Sequence, residues 1–388
     1  MMRALPVGAL LAAVLLLCSP PAAGAKKKKG SKAESHLQKA KELAAEARTA
    51  NLGEHEIRAL LSASQEHVEK GLLANPKSFG LLAFGVNNLN WRGWGASEPG
   101  RGVDARADLC DRAREVFTDN PKAALRAASA KDTRYTYIIC CDEARRLDGP
   151  DGRRECFAEA LGARLWAREW QYPATFHEGL AARPWWKLGA LGRDNRVMLQ
   201  SLQKRWPEIR REALAASSTA FRLEPDRLFE SGEWTELALW VRGAPAAGGQ
   251  RTAVGEKPVP SGCELMPKTC ALLDDIDGLK EANAVKLSNL APGTVIKPHC
   301  APVNDRIRIH LPLVVPKPSS TARTPHQEIG IRVGGEARSW TEGELMAFDD
   351  SFEHEVWHRG EEDRLVLIID IPHPDLEEDD DDEDEDEL

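Results

Sequence analysis

The chain has 388 residues, of which 42% are hydrophobic and 29% are charged, and its formal net charge is −9 at pH 7. This length predicts two domains with full cores. Beyond the amino terminus no stretch is long and apolar enough to suggest a membrane-spanning helix. The acidic composition gives no reason to expect a nucleic-acid partner.

The first 25 residues have the layout of a cleavable secretory signal peptide. Arg3 is followed by an apolar run over 8–17 and then by small residues up to Ala25. The run is too short to span a bilayer, so we predict a signal peptide over 1–25 and no membrane span in the mature chain. A basic linker over 26–34 follows.

The carboxyl end is a run of acids. Residues 377–387 are all Asp or Glu and carry eleven negative charges, so the rest of the chain is close to neutral. Such a run repels itself, and we predict a disordered tail over 377–388 that solubilises the protein or binds Ca²⁺. The last four residues, 385–388, read EDEL and resemble the Lys-Asp-Glu-Leu retrieval signal. We therefore expect the endoplasmic reticulum lumen, with secretion as the alternative.

Residues 35–170 are predicted to form an all-α domain of helical hairpins. A capping-box pattern at Ser35 precedes an apolar stripe of alanine and leucine, and a second helix is predicted over 54–73. Further amphipathic segments are broken by turn sequences at 118–122 and 147–152. The array is tetratricopeptide-like in kind, although it has no clean repeat period.

Residues 171–376 have a different pattern. After one or two helices over 194–217, short apolar runs separated by Pro, Gly and Asp predict strands. Strands of this kind favour a double-stranded β-helix, or jelly roll, so the chain as a whole is predicted to be α+β. The predicted strands are 284–290, 294–300, 306–315, 328–333, 344–350, 354–359 and 364–371.

The stretch RIRIHLPL, residues 306–313, alternates with a period of two. Its isoleucines and leucines lie on one face, while Arg306, Arg308 and His310 lie on the other. The apolar face should pack in the core. The cationic face is either solvent-exposed or the wall of an anion pocket.

A strand that is apolar on both faces begins at Arg364. A guanidinium at the mouth of a buried strand needs a carboxylate, because an unpaired buried charge is costly. The carboxylate is either Asp370 or one that belongs to a ligand. A turn near 359–360 would also place His354 opposite Arg364 on the neighbouring antiparallel strand.

His299 and His354 stand at the ends of separate predicted strands, as the ligands of jelly-roll metal sites do. The usual facial triad of two histidines and one carboxylate needs an acid two residues after the first histidine, where this chain has Ala301. Spacing alone therefore indicates a metal-dependent jelly roll with an incomplete ligand set.

Two long stretches, 292–316 and 340–376, resemble the catalytic domain of the aspartyl/asparaginyl β-hydroxylases, which are iron(II)- and 2-oxoglutarate-dependent dioxygenases. The resemblance extends over 171–376 through shorter motifs at 179–186, 231–240 and 263–276. It implies hydroxylation of the β-carbon of Asp or Asn side chains in epidermal-growth-factor-like (EGF-like) domains, with Fe(II) and 2-oxoglutarate as cofactors.

The resemblance also implies roles for particular residues. The two histidines that hold iron in the family match His299 and His354, without a third protein ligand. Arg308 matches a substrate-facing arginine, and Asp350 matches a carboxylate that orients iron-bound water. The residues that match the 2-oxoglutarate pocket are Trp234, Ser288, His310 and Arg364.

Further expectations concern cysteines, loops, two aromatic residues and three acids. Cys263 and Cys270 match a short disulfide of the family, while the segments 241–262 and 317–328 look like insertions. Phe352 and Trp357 are expected to pack around the pocket. We expect three acids to be solvated: Asp349, Glu353 and Glu355. The sequence leaves open how four cysteines pair: Cys110, Cys140, Cys141 and Cys156.

A second function remains open from the residues alone. The alternative is a non-enzymatic lumenal jelly-roll module that binds an acidic ligand through Arg308, His310 and Arg364, with a calcium-buffering tail.

Overall fold

A computed structural model describes the protein over residues 31–49, 52–90, 102–216, 220–224, 228–241, 244–245, 261–275, 284–317 and 324–376. The predicted signal peptide, the acidic tail, most of the basic linker, most of the predicted insertion 241–262 and half of the predicted insertion 317–328 lie outside these residues. The chain divides into two compact units, with the boundary between Thr175 and Phe176.

The first unit is helical. Its helices are α1 (Lys32–Thr49), α2 (Glu54–Ala74), α3 (Phe79–Asn90), α4 (Gly102–Asp119), α5 (Pro121–Ala127) and α6 (Ala130–Gly162). Small residues make close helix packing possible, and the alanine stripe of α1 is buried. The tetratricopeptide-like arrangement stays a prediction.

The predicted capping box at Ser35 is wrong. Helix α1 begins three residues earlier, and Ser31 and Glu34 bond each other reciprocally at its start: the Ser31 N–H donates to Glu34 Oε2 over 2.5 Å and the Glu34 N–H donates to Ser31 Oγ over 3.2 Å. Because Ser31 also has an acid three residues later, the same motif fits one turn upstream.

Two disulfides stabilise the helical unit and resolve the open pairing. Cys110–Cys140 joins α4 to α6, and Cys141–Cys156 links two parts of α6. Between Cys141 and Cys156 the helix is interrupted at Gly149, where φ is +74° and Pro150 follows. The break predicted over 147–152 is therefore confirmed.

The second unit contains antiparallel sheets and a few helices. The helices are α7 (Arg193–Lys204), α8 (Trp206–Ala215), α9 (Gly262–Leu265) and α10 (Pro267–Asp275). The strands are β1 (Trp185–Trp186), β2 (Arg222–Leu223), β3 (Phe229–Ser231), β4 (Trp234–Val241), β5 (Ala244–Pro245), β6 (Ala284–Leu290), β7 (Val295–His299), β8 (Arg306–Val314), β9 (Ile329–Val333), β10 (Glu336–Arg338), β11 (Met346–Phe348), β12 (His354–His358) and β13 (Arg364–Pro372).

These strands form two sheets. The larger sheet has the order β1-β11-β8-β13-β6-β4-β2, with β5 paired to β4, and the smaller sheet has the order β10-β9-β12-β7-β3. All pairings between the described strands are antiparallel. The prediction of a helical region followed by antiparallel sheets is confirmed.

The outer face of the larger sheet forms the main core of this unit. The aliphatic face of β8 is fully buried and shares a cluster with residues of α7 and α8 such as Leu199 and Ile209. The alternate residues of β8 therefore face the smaller sheet, as the period-two pattern predicts. Cys263–Cys270 joins α9 to α10, and that predicted disulfide is confirmed.

The predicted hairpin between β12 and β13 is wrong. Strand β12 lies in the smaller sheet between β9 and β7, and β13 lies in the larger sheet between β8 and β6. The segment 359–363 thus crosses from one sheet to the other, and His354 pairs with His299 and Val333 instead of Arg364. No helix of the described part of the chain is long and apolar enough to cross a membrane.

Candidate active site

Two histidines lie side by side on the inner face of the smaller sheet. His299 and His354 are direct register partners on β7 and β12, and their ring centroids are 4.1 Å apart. Nδ1 of His299 lies 2.7 Å from the Lys297 carbonyl oxygen, and Nδ1 of His354 lies 2.9 Å from the Phe352 carbonyl oxygen. A carbonyl only accepts, so each Nδ1 carries the proton and each Nε2 keeps its lone pair.

Burial keeps both imidazoles neutral. It lowers the pKa of His354 to about 3, and it lowers the pKa of His299 well below the usual value, helped by the neighbouring His354. Neutral imidazoles with free Nε2 lone pairs and Nδ1 held by backbone carbonyls are the usual form of a metal-ligating histidine pair.

Arg364 lies on the inner face of the larger sheet, the face of β13 that also carries Ile368 opposite His310. It is only 2% exposed, its Nε has no hydrogen-bond partner among the described residues, and burial lowers its pKa to about 9. The described residues offer it no carboxylate. The alternative partner Asp370 is contradicted, because that carboxylate is bound by other arginines.

Ser288 links Arg364 to Trp234. The indole N–H of Trp234 donates to Ser288 Oγ over 2.9 Å, and Nη2 of Arg364 donates to the same oxygen over 3.3 Å. A serine hydroxyl has two lone pairs and one proton. Since both lone pairs accept, the hydroxyl proton of Ser288 remains available to an acceptor beside Arg364.

His310 completes this group. It is a buried residue of β8, opposite Ile368 of β13, and the Trp340 indole N–H donates to its Nδ1 over 3.0 Å. Burial lowers its pKa well below the usual value, with a further contribution from Arg364. His310 is therefore neutral. Phe348 packs between the two sheets, with ring centroids 4.9 Å from His310 and 5.7 Å from His354.

A balanced ionic network borders the histidine pair. Arg308 donates two hydrogen bonds to Asp370, over 2.7 and 2.8 Å, and Nη2 of Arg308 lies 3.1 Å from Asp350. Arg306 donates to Asp350 over 2.7 Å and reaches Asp370 at 3.4 Å. Burial opposes the charge of Asp370, but Arg306 and Arg308 outweigh it and lower its pKa.

Neither interpretation of the cationic face of β8, solvent-exposed or anion-binding, fits its two arginines. Arg306 and Arg308 are 20% and 15% exposed and are paired, so the face is neither a solvated surface nor a set of free cations. The substrate-facing role of Arg308 and the water-orienting role of Asp350 stay predictions.

Comparison with known proteins identifies the domain. Residues 203–374 match the family model described as aspartyl/asparaginyl beta-hydroxylase. An aspartyl/asparaginyl beta-hydroxylase of Mus musculus is 36% identical over 216 residues, which are 54% of this chain and 26% of that protein. Residues 203–374 belong to the aspartyl/asparaginyl beta-hydroxylase family.

Other relatives show how far this likeness reaches. The chain spans about a quarter of the length of the mouse beta-hydroxylase. An ornithine lipid ester-linked acyl 2-hydroxylase of Rhizobium tropici is 35% identical over 108 residues, 28% of this chain and 35% of that protein. A 2OG-Fe(II) oxygenase-family oxidoreductase of Burkholderia pseudomallei aligns with a TM-score of 0.29 at 11% identity, covering 43% of this chain and 79% of that one. A score this low identifies no fold, so the fold of the beta-hydroxylase domain is taken from its strand pairing.

The described residues contain no cluster of three or more His, Cys, Asp or Glu side chains arranged to hold a metal. The beta-hydroxylase domain instead offers two imidazoles, which fit an iron site whose other positions are filled by water and a chelating co-substrate. The buried charge of Arg364 fits the far carboxylate of such a co-substrate.

Of the three acids expected to be solvated, Asp349 and Glu353 are buried, contrary to expectation, whereas Glu355 is 30% exposed and ion-paired. Asp349 is 1% exposed and Glu353 is 4% exposed. Arg332 holds Glu353 and Glu355 at 2.9 and 2.6 Å. Burial raises the pKa of Asp349 to about 7.

The two aromatic residues of that segment differ. Phe352 is buried, as expected. Trp357 alternates with His354 along β12, so it points to the opposite face, where its indole N–H donates to the His326 carbonyl over 2.7 Å. Trp357 therefore does not pack around the pocket, and the expectation for it is wrong.

Sequence reasoning missed two features of the site. Trp340 follows β10 outside any strand, so no periodicity indicated its direction. Glu236 and Lys286 form a part-buried pair at 2.5 Å on the same inner face. The period-two alternation of strands could have identified this pair, since Glu236 stands two residues after Trp234 and Lys286 two residues before Ser288.

Proposed function

We propose that this protein is an iron(II)- and 2-oxoglutarate-dependent dioxygenase that hydroxylates the β-carbon of Asp or Asn side chains. The proposal rests on the buried guanidinium of Arg364, which has no carboxylate partner among the described residues, on the inner face of the larger sheet, together with a pair of neutral histidines on the inner face of the smaller sheet. A buried cation of this kind is costly unless an anion joins it, and the family gives the anion its identity.

The ligand-binding residues present donors only. Arg364 offers its guanidinium, and Ser288 offers the one proton of its hydroxyl. A carboxylate accepts from both, so it is held and oriented at one end of the pocket. The same residues would reject a neutral or cationic group at that position, because the guanidinium would remain unpaired.

The histidine pair would hold iron(II) through the two Nε2 lone pairs, and iron bound there would supply the oxygen activation that hydroxylation requires. The backbone carbonyls of Lys297 and Phe352 keep each ring in the tautomer and orientation that ligation needs. Phe348 and the aliphatic residues of β13 exclude water from the space between the sheets.

The substrate class and compartment extend this proposal. We propose protein substrates of the secretory pathway, with EGF-like domains as the first candidates, modified in the endoplasmic reticulum lumen. Three disulfides within the described residues support an oxidising compartment. The resemblance of residues 385–388 to a retrieval signal supports retention there.

Mass spectrometry of candidate peptides tests the substrate. Disulfide-bonded EGF-like peptides with a central Asp or Asn are incubated with the protein, iron(II) and 2-oxoglutarate, and a gain of one oxygen atom on that residue is expected. The similarity to an acyl 2-hydroxylase makes an ornithine-lipid substrate the matched comparison. Oxygen gained by the lipid and not by any peptide would refute the peptide substrate.

The non-enzymatic module makes the opposite prediction. It would bind acidic ligands equally well with and without a metal, and it would consume no 2-oxoglutarate. The histidine pair argues for the enzyme, because Nε2 lone pairs are acceptors and add nothing to the binding of a carboxylate.

A further inference from the structure

Trp340 contacts two members of the candidate co-substrate pocket at once. Its indole N–H donates to Nδ1 of His310, and Cζ of Arg364 lies 4.8 Å from the centre of its ring. The tryptophan is 4% exposed, and the plane of the His310 ring is tilted by only 21° from the indole plane. Trp340 therefore touches residues of both β8 and β13.

An indole N–H can only donate, so Nδ1 of His310 must accept. A neutral imidazole then carries its proton on Nε2. This is the opposite tautomer from that of His299 and His354, whose Nδ1 atoms donate to backbone carbonyls. His310 thus presents a donor where the other two histidines present a lone pair.

The Arg364 contact adds a second effect. Its guanidinium has no carboxylate among the described residues, and the face of an aromatic ring carries negative electrostatic potential. The Trp340 ring therefore stabilises the cation in the ligand-free protein without occupying its hydrogen-bond donors.

We propose that Trp340 is a positioning residue for the co-substrate, which holds His310 with its proton on Nε2 and supports the Arg364 guanidinium from the ring side. The assignment to a 2-oxoglutarate pocket rests on the proposed function, whereas the tautomer of His310 does not. With Trp340 in place, Arg364, Ser288 and His310 each present a hydrogen-bond donor, which suits a carboxylate.

The first experiment reads the tautomer directly. Long-range ¹H–¹⁵N NMR of the metal-free full chain, labelled with ¹⁵N in histidine, shows which ring nitrogen of His310 carries hydrogen. We expect Nε2–H in the wild-type protein and loss of that single form in Trp340→Phe, which keeps a ring under Arg364 and removes the N–H. Protonated Nδ1 in the wild-type protein would overturn the proposal, whatever the variant does.

The second experiment measures co-substrate binding by anaerobic calorimetry with manganese(II) in place of iron. Trp340→Phe should weaken 2-oxoglutarate binding by about tenfold, the loss expected for one well-placed hydrogen bond. Trp357→Phe is the matched control, because it also removes one indole hydrogen bond, to the His326 carbonyl outside the pocket. We expect Trp357→Phe to change the affinity by less than about twofold.

A double-mutant cycle separates positioning from general stability. If Trp340 acts through His310, Trp340→Phe in a His310→Ala background should cost less than about twofold in affinity. Losses that multiply across the two sites would overturn the proposal. Failure of the wild-type protein to bind 2-oxoglutarate would instead refute the proposed function, and the NMR result would still decide the tautomer.

Discussion

Replacement of Arg364 by methionine should change stability and binding in opposite directions. Burial lowers the pKa of Arg364 from its ordinary value to about 9. That shift corresponds to a cost on the order of 5 kcal/mol for the charged form in the ligand-free protein. Methionine has a similar length and no charge, so Arg364→Met should raise the free energy of unfolding without ligand.

Binding should fall in the same variant. Loss of one partner of a buried hydrogen-bonded charge pair costs about 2 to 5 kcal/mol, so the affinity for 2-oxoglutarate should drop by roughly 30- to 5,000-fold. The matched ligand is 2-oxopentanoate, which has a methyl group in place of the far carboxylate. It should bind the wild-type protein weakly, because it has no carboxylate to pair with Arg364. Its affinity for Arg364→Met should be about the same as for the wild-type protein, because it forms the charge pair with neither.

The assay is anaerobic calorimetry with manganese(II), together with chemical unfolding of the ligand-free proteins. Arg205→Met serves as the control, because Arg205 is a half-exposed arginine paired with Glu208 on the helical side of the domain. Two results would refute the reasoning. One is unchanged 2-oxoglutarate affinity in Arg364→Met, and the other is an equal loss of affinity for both ligands.

The other predictions concern metal, pH and a disulfide. His299→Ala and His354→Ala should each weaken manganese(II) binding by at least about tenfold in a fluorescence titration. His326→Ala, away from the histidine pair, should leave the manganese(II) affinity unchanged. Equal affinity in all three variants would refute the assignment of the metal ligands. 2-Oxoglutarate binds the protonated form of Arg364, whose pKa is about 9. The affinity for 2-oxoglutarate should therefore be constant below pH 9 and fall by about tenfold per pH unit above pH 9. The affinity for 2-oxopentanoate should not follow this profile. Replacing Cys263 and Cys270 by serine removes a disulfide of sequence separation 7 and should lower the free energy of unfolding by about 2 kcal/mol. An unchanged free energy of unfolding in chemical denaturation would contradict a stabilising disulfide.

Much of the fold could be predicted because local patterns specify it. The alternation of β8 separated its core face from its inner face, since successive side chains of a strand point to opposite sides. The burial of Arg364 followed from the apolar residues on both faces of β13. The break at Gly149 and Pro150 followed from the backbone preferences of these two residues.

The pairing of strands could not be predicted in this way. The segment 359–363 has the composition of a hairpin turn, but it connects strands of different sheets. His354 therefore lies beside His299, which is 55 residues earlier in the chain, instead of beside Arg364. A short link can serve either connection, and the choice depends on how the two sheets pack.

The ion-pair partners of Arg364 and Asp370 could not be predicted from the sequence either. The sequence offered Asp370 as a partner for Arg364, six residues away on one strand. In the structure Asp370 lies opposite Arg308 in the register of β13 and β8, and the carboxylate pairs across the sheet. The unpaired state of Arg364 follows from that register, which no local pattern contains.

The most direct test of the central claim is succinate release from 2-oxoglutarate by the purified full chain, measured with and without iron(II) and compared with His354→Ala. The proposed dioxygenase should release succinate only when iron is present, and His354→Ala should reduce turnover to the level of the iron-free control. Undiminished turnover by His354→Ala, or turnover that does not depend on iron, would contradict the account.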